Sequence, residues 1–346
     1  MKKKSIILTI CILSALVIVL FLRGPKPGGQ AEPIRISGFK LNTVVEITIY
    51  DSTDESLLED ALGLCDHYED LFSRTKETSE LFKLNHRTLP KSKDGWTVSP
   101  ETAELILQGL KYSQLSHGAF DITIEPVSSL WDFTSEDKVV PAQAQIEQAL
   151  PHVGWQKVQV QGSTVTFADD DTRLDLGAIA KGYIADRIKA FLMEKGVQSA
   201  TINLGGNVLC IGDKLDGSPF KIGIQKPFAD RNETIAVVDV SGRSVVSSGI
   251  YERFFEKDGT LYHHLLNPQN GYPYDNGLVA VSIISSQSVD GDGLSTACFA
   301  LGLEKGMALI DSLDDVQAIF ITDDYQVHYS QNFDEELSAE QVQTAK

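Results

Sequence analysis

Sulfur is scarce in this chain of 346 residues, which has four cysteines and three methionines. Cys65, Cys210 and Cys298 are widely spaced among apolar neighbours, so they read as buried single thiols rather than a disulfide framework or a zinc site. Basic charge is also short, with 30 Lys and Arg against 48 Asp and Glu. Five of those basic residues (Lys2, Lys3, Lys4, Arg23 and Lys26) lie in the first segment, leaving 25 against 48 in the rest. That balance argues against a general nucleic-acid binder, which needs a basic face to neutralise phosphates. No G-x-x-x-x-G-K-[ST] occurs, NLGGN is not G-x-G-x-x-G, and no twelve-residue D-x-D-x-D-G…E loop fits. Repeats and low-complexity tracts are absent as well.

What is present begins with MKKKSIILTICILSALVIVLFLRGPKPGGQ, three lysines followed by an apolar run from Ser5 to Leu22. A run near the ~20 residues of a bilayer span, behind a lysine cluster, predicts one N-terminal membrane anchor with the chain after about Gly29 outside the cytoplasm. No small-x-small cleavage site follows, and Leu8-Thr9-Ile10 before Cys11 does not suit lipid attachment. The expected division is an anchor and Pro/Gly spacer over 1–30, a folded domain over 31–331, and a polar, disordered tail over 332–346.

Within the domain, GFKLNTVVEITIY (Gly38 to Tyr50) has the β-branched density of a strand. Glu55 to Phe72 carries apolar residues at helical spacing, and Ser99-Pro100 announces a second helix that ends near His117-Gly118. From Trp155 on come short strands: KVQVQG, TVTFA, TRLDLG, ATINLGG, FKIGIQ, IAVVDVSG and RSVVSSG. Asp258-Gly259 marks a hairpin. A helix from about Ala178 to Lys195 interrupts them, with Gly196 as its stop, and another follows Gly293. Hairpin-joined strands with helices apart from them predict an α+β fold with largely antiparallel sheets.

Four stretches carry chemistry. In LDLGAIAKGYIADR (Leu174 to Arg187) a helix start offers free N–H groups and a positive dipole end, with Lys181 adding a charge, which suits an anion. Asp175 and Lys181 suit solvated helix-end residues equally well. The two glycines of NLGGN say that a backbone or a ligand approaches closely at a strand end. In SVDGDGLSTACFALG, Asp292 and Thr296 are four apart and share a helix face, offering two hard oxygens to a cation such as Mg²⁺; an acidic helix cap explains the same residues. His263 and His264 alternate faces on a strand, so at most one faces a given pocket.

Together and in this order, these stretches resemble the ApbE family, the FAD:protein FMN transferases. The resemblance rests on LDLGAIAKGYIADR, INLGGN, SGIYERFF…YHHLLNPQNGYP, GDGLSTACFALG and SHGAFDITIEPVSSLW, and spans about Gly38 to Tyr329. It implies an ApbE-like, T-fold-like architecture and a Mg²⁺-dependent transfer of the FMN half of FAD to a threonine of an extracytoplasmic flavoprotein, with release of AMP. Carried over by position, Asp292, Thr296 and the Ala178 carbonyl would hold the metal. Leu41, Ala119, Phe120, Asp121, Asp175 and Lys181 would contact FAD, and His264 matches the histidine of transfer. The family's T-M-G-T is Lys40-Leu41-Asn42-Thr43 here, an aromatic after the first helix is Thr75, and an aspartate before proline is Asn267. Alternatives within the same reading are an FAD pyrophosphatase giving FMN and AMP, and a non-catalytic surface FAD-binding module.

Overall fold

The computed structural model describes residues 32–333 except 134, 136, 231 and 232. The expected anchor and spacer, Cys11 and nearly all of the expected tail lie outside the described residues.

The first strand signal is two strands. β1 (Ile34–Lys40) and β2 (Thr43–Ile49) pair antiparallel across Leu41 and Asn42, whose φ angles are 54° and 56°. Two left-handed residues in succession make the tight turn whose twist suits a hairpin, and they break the single strand expected over Gly38 to Tyr50. Next come α1 (Ser56–Phe72), α2 (Glu80–Asn85), β3 (Lys91–Ser92), β4 (Gly95–Thr97) and α3 (Pro100–Leu115). α3 starts as expected, with Ser99 Oγ accepting from the Thr102 N–H at 3.2 Å. Two short helices follow, α4 (Glu125–Ser128) and α5 (Gln143–Ala149), then the strands β5 (Val158–Gln161) and β6 (Thr164–Phe167) and the helix α6 (Ala180–Glu194).

TRLDLG is not a strand; only Arg173 forms a bridge, to Ile124. Its neighbour Leu174 gives both backbone groups to the Asn85 side chain, at 2.8 Å each, so an amide replaces the strand partner.

The remaining elements are β7 (Ala200–Leu204), β8 (Asn207–Ile211), β9 (Phe220–Gln225), β10 (Thr234–Val240), β11 (Ser244–Gly249), β12 (Phe254–Lys257), β13 (Thr260–His263), β14 (Leu278–Ser285), α7 (Ser288–Asp311), β15 (Val316–Thr322) and β16 (Val327–Tyr329). Eight strands form one antiparallel sheet in the order β1-β2-β7-β8-β11-β14-β15-β16. Asp258 and Gly259, at φ 52° and 77°, turn the β12–β13 hairpin.

The helices α1, α3, α6 and α7 share one core with one face of this sheet, through residues such as Leu58, Leu105, Ile188 and Phe299. The β9–β10 ribbon covers part of the other face with Phe220, Ile224 and Val238. β14 lies between them and is buried at every position. Its Val281 and Ile283 join the helical core while Ala280 and Ile284 join the ribbon side, so both faces of the strand are apolar.

α7 begins five residues earlier than the sequence suggested. Its first free N–H groups, on Ser288 and Val289, are capped by the Asp186 carboxylate of α6 at 2.8 and 2.9 Å. That cap comes from another helix, and it places Asp292 in the second turn instead of at a helix start. The helix is broken at Gly302, where φ is 79°. Although α7 is long and apolar enough to cross a membrane, more than half of its most apolar stretch is buried, against β11, β14 and α6.

Candidate active site

All ten residues singled out by sequence line one cleft of about 880 Å³: Leu41, Ala119, Phe120, Asp121, Asp175, Ala178, Lys181, His264, Asp292 and Thr296. One wall is the junction of α6 and α7. Here glycine sets the spacing, because a Cβ on Gly182 would lie 2.2 Å from the Ser288 carbonyl oxygen. This approach lets the Gly182 N–H, one of the unpaired donors of the α6 start, donate to Asp292 Oδ2 at 2.5 Å. Asn207 Nδ2 donates to Asp292 Oδ1 at 3.1 Å. Asp292 is only 5% exposed. Burial pushes its carboxyl above the usual range, while the Lys181 charge and these two donors pull it down.

Lys181 is the second residue of α6 and lines the cleft. Among the described residues its ammonium group makes no hydrogen bond or ion pair. Thr296, one turn after Asp292, shares Ser248 Oγ with Ser295, at 3.1 and 2.8 Å. A buried carboxylate and a hydroxyl one turn apart form the hard-oxygen set that Mg²⁺ takes.

The second wall is built of loops. Asp175 does not present a free carboxylate: Arg74 Nε lies 3.0 Å from its Oδ2, Ser128 Oγ donates to the same oxygen at 3.1 Å, and the Gly177 N–H donates to Oδ1 at 3.0 Å. Asp121 is likewise occupied, accepting from the N–H and hydroxyl of Thr123 and from the Trp155 N–H. These two acids shape the wall, and Arg74, which the sequence reading missed, brings a cation to it. Asn42 adopts the left-handed backbone that a glycine would supply, which asparagine tolerates well. Leu41 holds the same conformation with a bulkier side chain at the cleft edge. Asn267 accepts from the Gln269 N–H at 2.9 Å, a bond that an aspartate there would also make. Of the two glycines of NLGGN, Gly205 lines the cleft and lets Thr43 at the start of β2 pack against it, since a Cβ there would strike the Thr43 hydroxyl, whereas a Cβ on Gly206 would meet nothing.

Of the paired histidines only His264 lines the cleft. His263, the last residue of β13, is 3% exposed, with Nδ1 accepting from the Leu265 N–H and Nε2 donating to the Tyr274 carbonyl at 2.9 Å. Burial pushes His264 down to about 3, and the charges of Arg253 and Lys181 act in the same direction. It is therefore neutral near pH 7, and with Nδ1 turned to the Arg253 carbonyl at 3.3 Å its Nε2 keeps a lone pair. Arg74, Ser248 and Arg253 also line the cleft, with Asn207 behind Asp292; INLGGN holds Asn207 and SGIYERFF holds Ser248 and Arg253, so only Arg74 gave no signal in the sequence.

The sequence pattern of the ApbE family matches residues 41–320. The chain belongs to the ApbE family. It is 40% identical over 273 residues to a protein of Klebsiella pneumoniae named FAD:protein FMN transferase, covering 78% of this chain and 84% of that one. A Treponema pallidum protein of the same name is 32% identical over 324 residues, covering 88% and 89%. The apo flavinyl transferase ApbE of Pseudomonas stutzeri superposes with a TM-score of 0.77 at 30% identity, over 88% of this chain and 97% of that one. The ApbE architecture thus accounts for the antiparallel sheet with its helices on one face.

Proposed function

We propose that this ApbE-family chain is an FAD:protein FMN transferase that moves the FMN half of FAD onto a threonine hydroxyl of an acceptor protein, with Mg²⁺ and release of AMP. The observation that carries this reading is the convergence of Lys181, His264, Asp292 and Thr296 on one cleft. The names of its relatives support it.

The hydroxyl oxygen forms a bond to the FMN phosphorus while the bond from that phosphorus to the bridging oxygen breaks, and AMP leaves with the bridging oxygen. Neutral His264 takes the hydroxyl proton as the new bond forms. Lys181, at the positive end of α6, and Arg74, across the cleft, meet phosphate charge. Asp292, Thr296 and the Ala178 carbonyl would hold Mg²⁺, which supplies charge neutralisation on the pyrophosphate. Asp121 and Asp175 fix the loops against which the nucleotide lies. Residues 1–30 anchor the domain outside the cytoplasm, a reading supported by the three lysines and the apolar run.

Incubation with FAD, Mg²⁺ and a threonine-bearing acceptor tests the reaction. A fluorescent flavin band that survives denaturing electrophoresis is the expected result. Free FMN and AMP with no labelled acceptor would make the chain a pyrophosphatase, and bound but unchanged FAD would make it a binding module.

A further inference from the structure

We infer that Asn207 is a positioning residue for the metal site: its side-chain amide fixes the rotation of the Asp292 carboxylate and so sets which oxygen lone pairs face the cation. The inference rests on the reading of Asp292 as a metal ligand.

Asn207 is the first residue of β8, directly after the Gly205-Gly206 turn, where Leu204 and Asn207 are register partners. It sits on the sheet, not on a loop, and is 1% exposed. Its amide is read in one orientation only. Ser288 Oγ donates to Asn207 Oδ1 at 2.7 Å, which leaves Nδ2 to donate to Asp292 Oδ1 at 3.1 Å. Ser288 Oγ in turn lies 2.8 Å from Ser244 Oγ on β11. Ser244 and Ser288 are both wholly buried.

A chain of neutral hydrogen bonds therefore runs from the sheet to the carboxylate, ending in a donor. With the Gly182 N–H on Oδ2, each carboxylate oxygen has one protein donor. Each also keeps lone-pair capacity for a cation. Two fixed donors define the carboxylate plane, whereas one would leave it free to rotate about χ2. Partners of this kind orient a metal ligand without touching the metal, and their loss typically weakens metal binding by about 10–100-fold.

Asn207→Leu keeps the volume and removes both bonds. The test measures Mn²⁺ affinity of the FAD-loaded chain by electron paramagnetic resonance, alongside the melting temperature without metal. Asn207→Leu is expected to bind Mn²⁺ about 10–100-fold more weakly and to raise the Mg²⁺ concentration needed for half-maximal FAD turnover, while FAD affinity without metal stays unchanged. Wild-type Mn²⁺ affinity in a folded Asn207→Leu would overturn the inference. If Asn207→Leu does not fold, Ser288→Ala serves: it frees the amide to flip and is expected to weaken Mn²⁺ binding several-fold, and unchanged affinity would again overturn the assignment. Failure of the wild-type chain itself to bind Mn²⁺ would sink the metal-ligand reading instead, which separates the two ideas.

Discussion

The two walls of the cleft are built on opposite plans. At the α6–α7 junction, backbone and carboxylate are locked together inside the core, with Asp292 held by Gly182 and Asn207. The facing wall is a set of turns, with Leu41 and Asn42 in left-handed conformations and Asp175 tied to Arg74 and Ser128. The contrast separates two tasks. In the proposed reaction Asp292 and Lys181 meet charge from rigid helices, while Arg74 and the groups that shape the nucleotide pocket sit on loops. All three departures from the family pattern, at Asn42, Thr75 and Asn267, lie off the helical wall.

If that division is right, substitutions at Asp292 and Lys181 on the helical wall should change how the cleft handles charge, those in the loop-wall turn should change little beyond local backbone strain, and His264, which follows β13, should change the chemical step. The largest expected effect is at Asp292. Asp292→Asn keeps the shape of the buried site but removes its charge, and should abolish Mg²⁺-dependent turnover of FAD in a magnesium titration. Wild-type activity in that variant would remove the distinction between the walls. Thr296→Val should lose less, since a neutral hydroxyl carries less charge.

His264→Ala comes next, with kcat lowered by about 10²–10⁴-fold and FAD affinity little changed, as for the loss of a general base. The same residue has a signature in stability. Unfolded imidazole takes a proton near 6.5, whereas His264 and His263 in the fold resist until about 3 and about 4. The unfolded state therefore binds more protons in that window, and stability falls as pH drops from 6.5 toward 3. Replacing His264 should flatten this acid limb by nearly one proton in urea titrations at stepped pH. An unchanged slope would mean that the imidazole is open to water.

A smaller effect is expected at Lys181. Lys181→Ala should weaken FAD binding roughly tenfold to a hundredfold, the range of one charged hydrogen bond, with the melting temperature nearly unchanged. A large drop in melting temperature with intact affinity would make Lys181 a structural residue. The smallest is at the turn: Asn42→Gly should leave the fold intact, and Asn42→Val should cost about 1–2 kcal/mol for a left-handed backbone that a β-branched residue resists. Equal stability of the two would mean that the turn has another geometry.

The sequence carried the local information well. Helix spacing in α1, the Ser99 cap, the Asp258-Gly259 hairpin and the three buried thiols were all legible, because each depends on neighbours within a few residues. What stayed hidden was set by distant partners. Asp186 caps α7 across 102 residues, Asn85 takes the strand bonds of Leu174 across 89, and Asn207 reaches Asp292 across 85. Each moved a boundary or a role that periodicity alone had placed elsewhere. The family motifs found the cleft because they mark its walls, yet Arg74 lies outside every motif and is one of its nearest cations to Asp175.

The contact at Gly182 also works as a gauge. With only a hydrogen on that carbon, α6 and α7 close to a separation that any side chain would forbid. The gap between the lysine that heads one helix and the carboxylate inside the other is thus measured by a missing atom. One methyl group at position 182 would act as a shim, prising the helices apart and widening the seat between Lys181 and Asp292. Because the atoms in the way are backbone, position 182 is a fixed stop for the whole junction, and any side chain there would also pull the Gly182 N–H off Asp292.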